Sequence, residues 1–187
     1  VSTRLIGAII MVHGDNNGLV LPPRVAPIQI MIVPIRQQQE GVLDRAYALE
    51  KELKQAGLRV RVDASDKSPG WKFSEAEMRG IPLRIELGPK DIEQNQCVIA
   101  KRNDGTKQTI ALDDQLVTTI KNLLNQIHDE MYAKAQKHLQ EHTTRVQTKD
   151  EFVDVLENKT GFVQAPWCGD TACELKIKEE TTATSRC

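Results

Sequence analysis

Residues 69–91 read PGWKFSEAEMRGIPLRIELGPKD, and within that span the apolar positions change from helical spacing to strict alternation. Pro69-Gly70 predicts a turn, residues 71–79 a short helix closed by Gly80, and residues 82–87 a strand ending at the turn Gly88-Pro89. Phe73 and Glu77 are one helical turn apart, so they share a face. In the strand, Leu83, Ile85 and Leu87 alternate with Arg84 and Glu86, which sends the apolar set to a core and the two charges to the other side. An aromatic ring, a carboxylate and a guanidinium then converge on one surface. That set suits an unpaired RNA base, which proteins stack on aromatic rings and hydrogen-bond along its edges. Guanine fits it well: its N1 and N2 hydrogens can go to a carboxylate such as Glu77, while O6 and N7 accept from Arg or Lys. The same residues also suit a plainer arrangement, with Phe73 in a core and Glu77, Arg84 and Glu86 as solvated ion pairs of small energetic weight. Composition leaves both open.

Working outward, residues 28–35 are apolar and largely β-branched, as a strand buried on both faces requires. Val42, Ala46, Leu49 and Leu53 follow at helical spacing, with Gly57 placed to stop the helix. Leu58, Val60 and Val62 alternate with Arg59, Arg61 and Asp63, which makes a second strand and completes a βαβ unit. Residues 96–102 and 107–112 predict a hairpin around Asn103-Asp104-Gly105, and Lys107 leaves its turn where a long cationic side chain can reach a neighbouring groove. Asp113 or Asp114 can cap a long helix with the stripe Ile120, Leu123, Leu124, Ile127 and Met131. Upstream, residues 3–13 have helix-compatible spacing and residues 19–27 form a Pro-rich connector. The fold class expected is α/β: a mixed, mostly parallel five-stranded sheet with flanking helices, plus a small α+β C-terminal domain.

The 187 residues, 40% of them hydrophobic and 27% charged, are enough to bury one main domain with an appendage. A formal charge of -1 excludes a wholesale electrostatic nucleic-acid binder, so any RNA contact must be a local patch with a modest salt dependence. No apolar run approaches the roughly 18 to 20 residues that span a bilayer, and four unevenly spaced cysteines suit a reducing cytosol better than a secreted disulfide scaffold. Cys97 lies on an apolar strand and reads as core. His13, His128, His138 and His142 are too scattered for a metal cluster, and no nucleophile or general base is assigned.

The run 69–91 resembles the anticodon-binding domain of prolyl-tRNA synthetases of the eukaryotic and archaeal type, class II enzymes. Three further blocks are similar to the same family in the same order: STRLIGAIIMVHGDNNGLVLPPRVAP at 2–27, HTTRVQTKDEF at 142–152 and CGDTACELKIKEETTATSRC at 168–187. The resemblance implies residues 1–24 as the end of a class II catalytic domain and a linker, 25–125 as the anticodon-binding domain, and 126–187 as a truncated zinc-type C-terminal domain. It implies that Phe73 stacks on a base while Glu77, Arg84 and Lys107 read the two guanines of the proline anticodons, with Lys72, Arg79 and Lys90 nearer phosphates.

The resemblance further implies that Ser2-Thr3-Arg4 ends the third class II motif, placing Arg4 at the phosphates of ATP and Ser2 near the nucleotide; a guanidinium fork matches phosphate oxygens. The parent enzyme would join proline to its tRNA with ATP and magnesium, as a cytoplasmic homodimer without membrane or DNA partners. Beginning within that motif, this chain is expected to be catalytically inactive alone. Cys168 and Cys173 are spaced to share a zinc, but a tetrahedral site needs four ligands, and the resembled position of Cys187 is not normally one of them. Two other readings stay open: a standalone RNA-binding or regulatory module, and a protein-interaction domain that docks through the 120–131 stripe.

Overall fold

The computed structural model describes residues 2–185, which form two compact units divided between Ala133 and Lys134. In the first, α1 (Arg4–His13) precedes the connector, and β1 (Ile30–Pro34), α2 (Val42–Gln55) and β2 (Val60–Val62) form the expected βαβ unit. Then come α3 (Pro69–Met78), β3 (Leu83–Leu87), the short α4 (Pro89–Glu93), the hairpin β4 (Gln96–Lys101) with β5 (Lys107–Ala111), and α5 (Leu116–Glu141). The sheet order is β2-β1-β3-β4-β5; β1 pairs in parallel with β2 and β3, while β4 is antiparallel to both β3 and β5. Four strands therefore run one way and β4 alone runs back: the short connection through α4 reverses the chain before it and the hairpin turn reverses it again after it, whereas a parallel neighbour needs a crossover.

Both faces of the sheet are covered. On one, Ile30 and Ile32 of β1, the alternating Leu83, Ile85 and Leu87 of β3, and Cys97 and Ile99 of β4 meet Ala46, Leu49 and Leu53 of α2 and the α5 stripe. The stripe residues Ile120, Leu123, Leu124, Ile127 and Met131 are all buried, so they are spent on the core and form no docking face. On the other, Met31 and Val33 pack with Ala76 of α3 and Ile81, with Phe73 and Ile28 at the edge. Burying a Leu or Ile side chain stabilises by roughly 1.5–3 kcal/mol, so this two-sided core dominates the unit.

The start of α3 differs from the turn expected at Pro69-Gly70. Both residues lie in the first helical turn, with Ser68 as N-cap accepting from the Trp71 N–H at 3.4 Å. Proline costs nothing at that position because its missing N–H would be unpaired there anyway. The other end of α3 is held by the connector: the Leu19 N–H donates to the Met78 carbonyl at 3.0 Å and the Leu21 N–H to that of Gly80 at 3.2 Å. Gly80 has φ +69, and a Cβ there would lie 2.7 Å from the Leu19 backbone, so both conformation and space require glycine.

In the second unit, β6 (Thr143–Arg145) and β7 (Phe162–Gln164) pair in parallel across α6 (Lys149–Asn158), and α7 (Thr171–Thr181) follows. A capping box opens α6: Thr148 Oγ1 accepts from the Glu151 N–H and Glu151 Oε2 from the Thr148 N–H, both at 3.3 Å. The division between the units falls inside α5, as does the expected boundary at 125/126.

Candidate nucleic-acid interface

Arg84 stands at the centre of the face of β3 that α3 covers. Its guanidinium carbon lies 4.2 Å from the centroid of the Phe73 ring. Nη1 donates to Glu77 Oε1 at 3.2 Å and to the Phe73 carbonyl at 3.4 Å, while Nε and Nη2 donate to Glu86 Oε1 at 3.2 and 3.0 Å. Lys107 closes the group from β5, its Nζ 2.8 Å from the same Glu86 oxygen and 5.3 Å from the Phe73 centroid.

Strand register explains the reach. Arg84 pairs with Ala100 and Ala100 with Lys107, so the three form one row across the sheet and share a face. The methyl group of Ala100 is low enough for Lys107 to pass over it to β3. Phe73 and Glu77, one turn apart on α3, supply the roof. Arg84 and Glu86 are only 8% and 10% exposed in their side chains, unlike the open ion-pair face that alternation alone suggests, because α3 lies across them. Charges buried so far must be paired to persist.

A cleft of about 320 Å³ opens beside this group, bordered by Glu77, Arg84 and Lys107 and by Asp15, Lys101 and Arg102. Arg102 holds Asp15 through two bonds of 2.6 and 2.7 Å and donates from Nε to the Glu77 carbonyl at 2.9 Å. That guanidinium keeps the Asp15 carboxyl down at about 2. Lys101 bonds Asp104 at 2.8 Å and Glu130 at 3.0 Å. Burial opposes the charged form of all three, but the mutual bonds outweigh it, raising Lys101 and lowering Asp104 and Glu130. In each pairing a buried cation holds a more exposed carboxylate at the rim. Among the described residues Glu77 Oε2 has no protein partner, which leaves an acceptor directed by Arg84 yet open to a ligand.

The anticodon binding domain model matches residues 29–123, just over half of the chain. The chain belongs to the anticodon-binding domain family. A second model, the C-terminal domain of prolyl-tRNA synthetase, matches residues 149–187. Similar curated proteins include a proline–tRNA ligase of Lachnospira eligens, 56% identical over 186 residues, and one of Clostridium novyi, 54% identical over 187. Each comparison covers 100% of this chain and 39% of the relative, so the chain spans well under half the length of the curated relatives it matches.

Within this anticodon-binding domain, the residues expected to read bases are brought together, and those expected near phosphates are not. Phe73, Glu77, Arg84 and Lys107 form the one constellation described above. Lys72 is the clear departure: it is 2% exposed, with its ammonium donating to Gln37 Oε1 and to the Asp63 carbonyl, both at 2.9 Å. Burial lowers its pKa. It braces α3 against the loops and is not presented to a phosphate. Arg79 is exposed but bonded to Glu75 at 2.6 Å, and Lys90 is exposed on α4.

Ser2 and Arg4 lie together at the exposed start of α1, where the Arg4 N–H reaches Ser2 Oγ at 3.3 Å. Cys97 is fully buried as expected, and burial pushes its thiol up to about 11. Cys168 and Cys173 are exposed at the start of α7, and no group of three or more metal-ligating side chains is assembled among the described residues. Two thiols do not by themselves fit tetrahedral zinc; Cys187 lies outside the described residues. The residues that reading the sequence missed are Glu86, seen only as half of an ion pair, and the Asp15–Arg102 clamp. Glu86 had a signal, its position two residues from Arg84 on one strand face; the clamp joins positions 87 residues apart and had none.

Proposed function

We propose that the chain reads the anticodon of proline tRNA by clasping guanine against Phe73 and Arg84. The observation that carries the reading is the convergence of a ring, a guanidinium, an ammonium and a carboxylate with a free oxygen, drawn from α3, β3 and β5. Glu77 accepts from guanine N1 and N2, Arg84 and Lys107 donate to O6 and N7, and the base stacks on the exposed part of the Phe73 ring. Lys107 spends one of three donors on Glu86 and keeps the others for the base. Arg79 and Lys90 contact the RNA backbone.

The name the relatives carry supports proline–tRNA ligase as the activity of the whole protein, which we further read as a cytoplasmic dimer that takes proline and ATP with magnesium. In it Ser2 and Arg4 belong to the nucleotide site, and the chain's own part is selection of the tRNA. A separate RNA-binding module has no observation in its favour over this reading. The test is titration of a labelled proline anticodon stem-loop, beside one with both anticodon guanines changed to adenine. The guanine form should bind more tightly by about 1–3 kcal/mol for each base exchanged. Glu77→Gln should erase most of that difference. Equal binding of the two loops by the unaltered chain overturns the reading.

A further inference from the structure

We infer that Glu86 is the positioning residue that makes this surface selective for base edges, by cancelling and aiming the two cations beside it. The inference rests on the anticodon reading above and adds to it the residue that separates base recognition from plain attraction to phosphate. Glu86 is 7% exposed, and its Oε1 receives three N–H bonds, from Arg84 Nε at 3.2 Å, Arg84 Nη2 at 3.0 Å and Lys107 Nζ at 2.8 Å. Most of its side chain is therefore covered, and one of its oxygens is wholly given to the two cations.

Its first effect is on charge. Arg84 and Lys107 face Glu77 and Glu86, so the group is formally neutral. Without Glu86 it would carry a net positive charge under a half-open aromatic ring. Such a charge draws phosphate whatever the sequence, and phosphate contacts hold no information about bases. The neutral group gains little from phosphate and is left to bond with base edges.

Its second effect is on direction. One oxygen fixes the Nε–Nη2 edge of Arg84, which leaves Nη1 with Glu77, and holds Lys107 across Ala100 within reach of the Phe73 ring. A free lysine or arginine side chain has large rotamer freedom to lose, and fixing it beforehand removes that cost from binding. Charge and direction come from the same carboxylate.

Glu86→Gln keeps the shape and one acceptor while removing the charge, and the whole chain is titrated with the guanine and adenine stem-loops over a salt series. The expected result is a guanine-to-adenine affinity ratio at least tenfold below that of the unaltered chain. The slope of log K against log salt should steepen by about 0.7, one further single-strand phosphate. Adding Lys107→Gln restores the charge balance, so the slope returns while the ratio stays low. Glu86→Asp keeps the charge and withdraws it by a methylene; where Glu86→Gln does not fold it carries the test, with an unaltered slope and a reduced ratio. An unchanged ratio in these variants, or equal loss of affinity for both loops at an unchanged slope, overturns the role of Glu86 alone. Absence of guanine preference in the unaltered chain overturns the anticodon reading, and this inference falls with it.

Discussion

Lys72 and Lys107 are both lysines of the first unit, yet one braces α3 and the other is proposed to read a base. Lys72 lies one turn before Ala76 on the buried side of α3, and its ammonium answers two oxygens, Gln37 Oε1 and the Asp63 carbonyl. Lys72→Ala should cost about 1 kcal/mol of stability in a urea titration, the loss of a buried donor's bonds to two partly buried acceptors, and should leave the guanine-to-adenine ratio in stem-loop binding untouched. Asp15 adds a pH dependence. Its folded pKa of about 2 lies below the ordinary aspartate value of 3.8, so the folded state resists its protonation. The stabilisation is fully present above the unfolded pKa and is lost as pH falls from about 4 through 2. Asp15→Asn should flatten the acid unfolding curve across that window. Cys97 should stay unmodified by a thiol reagent that labels Cys168 and Cys173, by peptide mapping, until the chain is unfolded.

At the scale of elements, α3 shows what pattern alone reveals. The alternation in residues 83–87 placed β3 and named its two charged positions, and the spacing of Phe73 and Glu77 placed them on one face. Two things were not legible. Pro69-Gly70 reads equally well as a turn or as a helix start, and Ser68 decides between them by capping the first turn. Nor does alternation say whether the second face of a strand is open or roofed; that depends on where the next helix lies. The partner of Lys72 at Ala76, four residues on, was a usable signal for the buried side of α3. Gly80→Ala should destabilise the unit by about 1–3 kcal/mol in denaturant unfolding, because the strained φ and the Leu19 contact act together.

Over the whole molecule, a formal charge of -1 and a site whose charges cancel predict binding that is only weakly dependent on salt. A shallow slope in the unaltered chain, amounting to a few phosphates, is the expected outcome. Among the described residues no helix is long and apolar enough to cross a membrane. α1 nonetheless keeps an apolar side in the open, with Leu5 53%, Ile6 61% and Met11 82% exposed. The main unit was legible because its strands and helices have clear periods. The second unit, where β6 and β7 are three residues each, offered pattern too short to read beyond its class.

Ala100 sits midway in the row from Arg84 to Lys107. Lys107 spans it to reach Glu86, so on the anticodon reading proposed above the room over that position bears on discrimination alongside the ionised groups. A branched side chain there would part lysine from glutamate without altering a single charge. On that reading selectivity is adjustable by volume as well as by electrostatics, at a position whose side chain carries no charge.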